Sequence, residues 1–430
     1  MIPPLAAARH ALLVLATLAA PALAQDFDQA PIRYSTSSPD NVASRLQDRL
    51  EAGEASLTYE DGTGYLRSLL QELDVPLSSQ TLVFSKTSLQ RHRIDPRSPR
   101  AIYFNDQVYI GFCRDGDVLE VSAADPSLGT VFYTVDQDPM AAARLMRQTD
   151  ACLLCHGSSH NQGVPGHVVR SVYPDAGGLP VLSSGSHRID HTSPLKHRWG
   201  GWYVTGTHGE QQHLGNLIVR GRHNPDELTN AAGMNLTDLA GRFDTSPYLT
   251  PHSDIVALMV LEHQAQAHNL IARASFLTRM ALHQEASLNK ELGRPAGQRW
   301  ESTTSRIKDA GEPLLRYLLF SEEAELTAPI AGTSGFAEEF AARGPRDEQG
   351  RSLRDFDLKR RLFKHPCSYL VYSPEFDALP AEAKDYIGRR LGEILAGRDT
   401  SGAFAHLTES DRRSIQEILA STRPGLAIRE

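Results

Sequence analysis

Residues 152–156 read Cys-Leu-Leu-Cys-His, and this pentapeptide constrains the fold more than any other feature of the chain. Two thiols with two residues between them sit about one helical turn apart, on one face of a helix. A histidine follows directly. Three chemistries use such a spacing: a dithiol–disulfide couple, half of a zinc site, or covalent haem attachment. A thiol couple belongs on a thioredoxin-like βα unit, and no such pattern surrounds the motif. A zinc site wants a second Cys pair, and the two remaining cysteines, Cys113 and Cys367, stand singly. In the third chemistry Cys152 and Cys155 add to the two vinyl groups of a haem, and His156 supplies the proximal imidazole. That reading asks most of the fold, because space for a flat macrocycle must open beside one helical turn.

The N-terminus favours it. Arg9 and His10 precede the apolar run Ala11 to Ala20, and Pro21-Ala22-Leu23-Ala24 gives a small-x-small ending before Gln25. Residues 1–24 are therefore expected to be a signal peptide and the mature protein periplasmic. No Cys stands at the cleavage site, which argues against a lipoprotein. Export carries the chain to where haem is attached, and where an unoccupied thiol pair tends to oxidise. There Cys113 and Cys367 are free to bridge, or to remain two separate buried thiols.

The chain has 430 residues, enough for two to three structural units at roughly 100–200 residues each. Its formal net charge is -8 with no long basic run, which disfavours nucleic acid and anionic lipid as partners. After residue 25 no apolar run reaches membrane-spanning length, so no stable membrane insertion is expected once the signal is cleaved.

Periodicity suggests a first helix from Pro39 with Ser38 as cap, and a second over 64–73. Short strands follow at 81–84, 101–104, 108–112, 118–121 and 130–135, a small β meander. Residues 139–155 read as a helix starting at Pro139 and leading into the motif. Beyond it a Gly-, Pro- and Ser-rich stretch holds two short strands, 167–173 and 201–205. A long helix over 254–281, capped by Ser253, comes next, then helices near 303–325, 335–343, 381–396 and 408–421. Thr408 and Asp411 form a capping box for the last, and 344–352 is expected to be an exposed excursion. The expected fold class is α+β, mainly α-helical around a single haem, with a small N-terminal β meander and a helical C-terminal part. Its regions are 25–140 (N-terminal α+β), 141–290 (haem-binding) and 291–430 (C-terminal helical).

Through Cys152 to His156 and its helical lead-in, a few per cent of the chain, the sequence resembles the c-type cytochromes. The resemblance implies one covalent haem c, His156 as proximal ligand, and work in redox or electron transfer. The chain is far larger than a simple carrier cytochrome, and its single motif departs from di-haem and multihaem plans.

A sixth iron ligand is sought among Met and His. After the motif the only methionines are Met234, Met259 and Met280, whereas eight histidines fall from His156 to His213. His208 lies in a Gly-flanked turn following Arg198-Trp199-Gly200-Gly201-Trp202, where glycines allow close approach to a flat ligand and Trp202 offers stacking surface. Met259 and His263 stand one turn apart on an apolar helix face and could reach the same point. His208, His263 and Met259 are thus the candidates above the iron. The bland alternatives are a solvated turn histidine and a satisfied core histidine. Arg170 and Arg198 are candidates for the haem propionates, with surface ion pairs as the alternative. The pairs His187/His191 and His156/His160 leave a pure metal site open.

Three functions fit: an electron-transfer protein with a redox partner protein, a haem enzyme of peroxidase or oxygenase type with an open sixth position and a small-molecule substrate, or a haem-based binding or sensing protein. The sequence favours redox function in the broad sense.

Overall fold

The computed structural model describes residues 26–158, 161–220 and 229–426. The expected signal peptide, 1–24, and His160 lie outside the described residues. Among the described residues the chain forms nine α-helices and two antiparallel sheets. The larger sheet has six strands in sequential order: β1 (Thr81–Val83), β2 (Arg100–Phe104), β3 (Val108–Phe112), β4 (Val118–Asp125), β5 (Gly129–Asp136) and β6 (Met146–Gln148). The smaller pairs β7 (Arg170–Val172) with β8 (Ser186–Arg188).

This mixed α+β architecture overturns the expectation of a mainly helical body around the cofactor. The difference arises where the helical lead-in was expected. Met140 and Met146 face solvent, so their spacing reflects no buried helical stripe. Residues 146–148 instead hydrogen-bond along β5 and complete the sheet, with Phe132 opposite Gln148. Only one turn, α3 (Leu153–His156), is helical at the motif.

Side-chain alternation gives the sheet two faces. Tyr103, Ile110, Leu119, Val121, Val131 and Val135 point to one side and pack beneath α1 (Val42–Glu51) and α2 (Leu66–Glu72) in one hydrophobic core. The opposite face carries Ile102, Gly111, Glu120 and Thr134 in one cross-strand row, and Tyr109, Ser122 and Phe132 in the next. Helix α4 (Ile255–Glu291) crosses this second side and joins it to a C-terminal core. That core is built with α5 (Glu301–Leu318), α6 (Phe336–Ala342), α7 (Pro374–Asp377), α8 (Ala381–Leu395) and α9 (Glu409–Thr422).

Local caps explain several boundaries. Helix α1 begins later than expected because Asn41, not Ser38, accepts from Ala43 and Ser44 N–H, and the Ser44 hydroxyl closes a capping box. Asn41 Nδ2 also donates to Asp125 and Tyr133, tying α1 to the sheet. Asn41→Ala should cost about 1–3 kcal/mol, a lost cap plus buried groups left unpaired. A urea midpoint unchanged from wild type would contradict this. Asp254, not Ser253, caps α4: one carboxylate oxygen accepts from Val256 and Ala257, and the other from Thr333 and Ser334. Thr408 and Asp411 do form the capping box of α9. The 344–352 loop is pinned by Asp347, which accepts from Gln349 and Arg351, and Ser352 is buried. Cys113 and Cys367 are both buried free thiols. Among the described residues no helix is long and apolar enough to cross a membrane.

Candidate functional site

Helix α3 is a single turn, and its C-terminal carbonyl, on His156, is taken up by Gly166 N–H and Asn161. Leu153 is buried in the sheet's core, while Leu154 is 79% exposed. Cys152, Cys155 and His156, at relative positions i, i+3 and i+4, therefore share one side of the turn. All three line a cavity of about 620 Å³. Pockets that enclose a cofactor-sized ligand run roughly 300–1,000 Å³.

The floor of the cavity is the second face of the sheet: Arg100 and Ile102 from β2, Tyr109 and Gly111 from β3, Glu120 and Ser122 from β4, Phe132 and Thr134 from β5. Gly111 matters here. A Cβ at this position would stand 2.6 Å from the Arg100 guanidinium, so the missing side chain lets Arg100 lie flat and meet Glu120 at 2.7 Å. The walls are His167 to Arg170, Trp202, and Leu261 and Ala265 one turn apart on α4. The loop after β1 contributes Lys86 to Leu89 and Arg91. Lys86, Arg91, Arg100 and Arg170 line the cavity against the single carboxylate of Glu120, an excess of positive charge that suits an anionic occupant.

His156 is positioned with care. Its Nδ1 is 2.9 Å from the Gly166 carbonyl, and the Gly166 N–H returns a bond to the His156 carbonyl. Asn161, fully buried, donates to both carbonyls. Asn269 of α4 holds the next residue through the N–H and C=O of His167. A carbonyl at Nδ1 fixes the proton there and leaves Nε2 with a free lone pair, the arrangement of a metal-ligating imidazole. Burial pushes the His156 ring below its ordinary pKa, which keeps it neutral. Burial also raises the Cys152 thiol to about 11.

The expected site residues divide sharply. Cys152, Cys155, His156, Arg170 and Trp202 line the cavity, and the Trp202 indole N–H donates to the Arg170 carbonyl at 2.8 Å. Arg198, His208, His263 and Met259 do not line it. Arg198 is paired with Glu262 in the interior and donates to the carbonyls of His191 and Ser193. His208 takes the Asn235 N–H on Nε2 and packs edge-on against His213. His263 is held between His191, 2.8 Å away, and Ser368, also 2.8 Å away, and stacks on Phe320 and Tyr317. Met259 is buried in the C-terminal core. On α4, positions 259 and 263 point away from the side that carries Leu261 and Ala265. The glycines of the 199–209 segment serve packing: a Cβ on Gly201, whose φ is +86°, would stand 2.6 Å from Ser85, and one on Gly200 would meet the Val172 carbonyl.

His167 carries no distinguishing signal in the sequence, yet it lines the cavity beside Tyr109, their rings 4.2 Å apart. Both of its nitrogens have hydroxyl partners, Ser122 at 2.8 Å and Thr130 at 3.4 Å. Among the described residues no group of three or more His, Cys, Asp or Glu gathers as a bare metal site would require. His187 stacks on His197, and His191 bonds His263. The chain matches no protein-family model, no curated protein and no solved structure.

Proposed function

We propose that this protein carries one covalently attached haem c and acts in redox chemistry after export to the periplasm. The observation that carries the reading is the joint placement of Cys152, Cys155 and His156 on one side of α3, lining a cavity large enough for a cofactor, with His156 Nδ1 held by the Gly166 carbonyl. Cys152 and Cys155 would hold the group through thioethers, and His156 would offer Nε2. Lys86, Arg91 and Arg170 stand ready for its carboxylates, and Trp202, Phe132, Leu261 and Ala265 supply apolar walls. Such a group supplies one-electron chemistry at its iron.

A specific observation favours the version with an open sixth position, as in a haem enzyme or a small-molecule sensor. Besides His156, the only histidine among the described lining residues is His167, whose nitrogens are both engaged by hydroxyls, and no methionine lines the cavity. An electron-transfer protein would instead need a sixth ligand from outside the described lining residues.

Visible spectra of the mature protein, oxidised, reduced, and reduced under CO, test this. A CO-shifted reduced band is expected. Sharp reduced bands indifferent to CO would restore the electron-transfer version, and no haem spectrum at all would overturn the reading. His156→Ala should keep the haem attached but change the spectrum and potential, because the thiols and the proximal imidazole act separately. An unchanged spectrum in that variant would remove His156 as ligand.

A further inference from the structure

On the same face of the sheet as the large cavity, toward the β4–β5 turn, lies a second, small one of about 10 Å³, lined by Thr130, Gly129, Asp125 and Pro126 of the turn region, His268, Ala272 and Ser275 of α4, and Glu375 of α7. Four polar atoms at this small space are buried with no well-formed hydrogen bond: His268 Nε2, Ser275 Oγ, and both carboxylate oxygens of Glu375, whose nearest donors are Ser373 and its own backbone. Glu375 is only 6% exposed. His268 Nε2 stands 3.5 Å from its Oε1, too far for a good bond. Buried polar groups without partners are costly, and a space of this size with several such groups around it accommodates one water.

Two hydrogen-bonded routes lead from this point to the large cavity. In the first, Thr130 Oγ1 meets Nδ1 of His167, and Nε2 of His167 meets Ser122 on the cavity floor. In the second, His268 Nδ1 is 3.3 Å from the hydroxyl of Tyr109, whose ring lines the cavity. The direction of this second route is fixed by Gln264. Its Oε1 accepts from Tyr369, so its Nε2 donates to the Asn105 carbonyl and to the Tyr109 oxygen. The Tyr109 hydroxyl, already accepting from Gln264, has its proton free for His268 Nδ1.

We propose that Glu375 and one buried water form a proton-loading site for the large cavity, reached through Thr130 and His167 on one side and through His268 and Tyr109 on the other. The inference rests on the redox reading above. When a redox partner protein delivers one electron to the cavity, the added negative charge strengthens the hold of Glu375 on a proton. One O–H bond forms on its carboxylate, with the proton drawn from solvent in the large cavity along Ser122, His167 and Thr130, and that bond breaks again on oxidation, the proton returning the same way. The groups facing Glu375 are His268 from α4, Asp106 from the β2–β3 turn and Asp125 from β4. Burial raises the Glu375 carboxyl to about 7 and lowers His268 to about 4, so the carboxyl, not the imidazole, changes charge near neutrality.

Redox titration of the holoprotein with infrared difference spectroscopy tests this. The midpoint should fall as pH rises through about 7, and reduction should produce a protonated-carboxyl band that shifts in D₂O. Glu375→Gln should abolish both. Thr130→Val should keep the slope while slowing proton uptake, a kinetic loss that a merely structural role would not produce. A flat midpoint with no carboxyl band, in wild-type protein that carries haem, would overturn the proposal. A chain that carries no haem would overturn the reading beneath it instead.

Discussion

Replacing Cys152 and Cys155 together by Ala should abolish covalent haem while leaving the chain folded. The two thiols share the cavity side of α3, so each is placed to add its sulfur to one vinyl group, the thiol hydrogen going to the neighbouring vinyl carbon. Neither thiol has a packing role to match Leu153, which is buried in the sheet's core. Cys155 is exposed and Cys152 only half-buried. Alanine favours the helical turn more than cysteine does. The stability cost should therefore stay near 1 kcal/mol or below, within the range of changes away from packed sites. Haem staining after denaturing electrophoresis should fall from full to nothing in the double variant. Each single variant should retain haem through one thioether. Retention of covalent haem by the double variant would remove both cysteines from the site.

The second large effect lies away from the cavity. Glu262→Ala should destabilise the fold by about 3–5 kcal/mol, the usual cost of stripping a buried ion pair of one partner. The Arg198 guanidinium is almost wholly enclosed, Glu262 is fully so, and the Trp199 indole donates to the second carboxylate oxygen at 3.1 Å. Burial pushes the Glu262 carboxyl upward while the Arg198 guanidinium pulls it back down, which shows that the pair has given up solvation for mutual contact. With the carboxylate gone, Arg198 keeps only the carbonyls of His191 and Ser193, and it cannot shed its charge. A domain holding roughly 5–15 kcal/mol in total would lose a large part of its margin. Urea unfolding should show a much lower midpoint. The fraction that remains folded should carry haem normally, because neither residue lines the cavity. A shift under about 1 kcal/mol would contradict the assignment of Arg198 to the core.

What could be read in the sequence follows the range of each signal. The Cys-Leu-Leu-Cys-His spacing is local, and one helical turn suffices to bring its three groups to one side. The capping box at Thr408 and Asp411 is equally local, and it holds. The cavity floor is different in kind. Arg100, Glu120, Ser122 and Thr134 are polar positions alternating with apolar ones, which in sequence reads as an ordinary wet sheet face. Only the antiparallel register places Gly111 opposite Glu120, and Tyr109 opposite Ser122. Helix α4 misled for another reason. Nearly every residue from Ile255 to Phe276 is buried, so an apolar stripe through Met259 and His263 does not say which side meets the cavity. Leu261 and Ala265 take that place, and nothing in their spacing distinguishes them. His208 and Arg198 show the same limit: a glycine-flanked histidine and an arginine beside tryptophans have partners, Asn235 and Glu262, that lie 27 and 64 residues away.

Covalent attachment of haem at α3 can be read from the intact mass of the denatured mature protein. The protein would be produced in a host able to attach haem c, then digested and its peptides mapped. The mature chain should gain the mass of one haem, retained through denaturation and located on the peptide that contains Cys152, Cys155 and His156. An unmodified mass, with the two thiols free, bridged to each other or holding zinc, would contradict it.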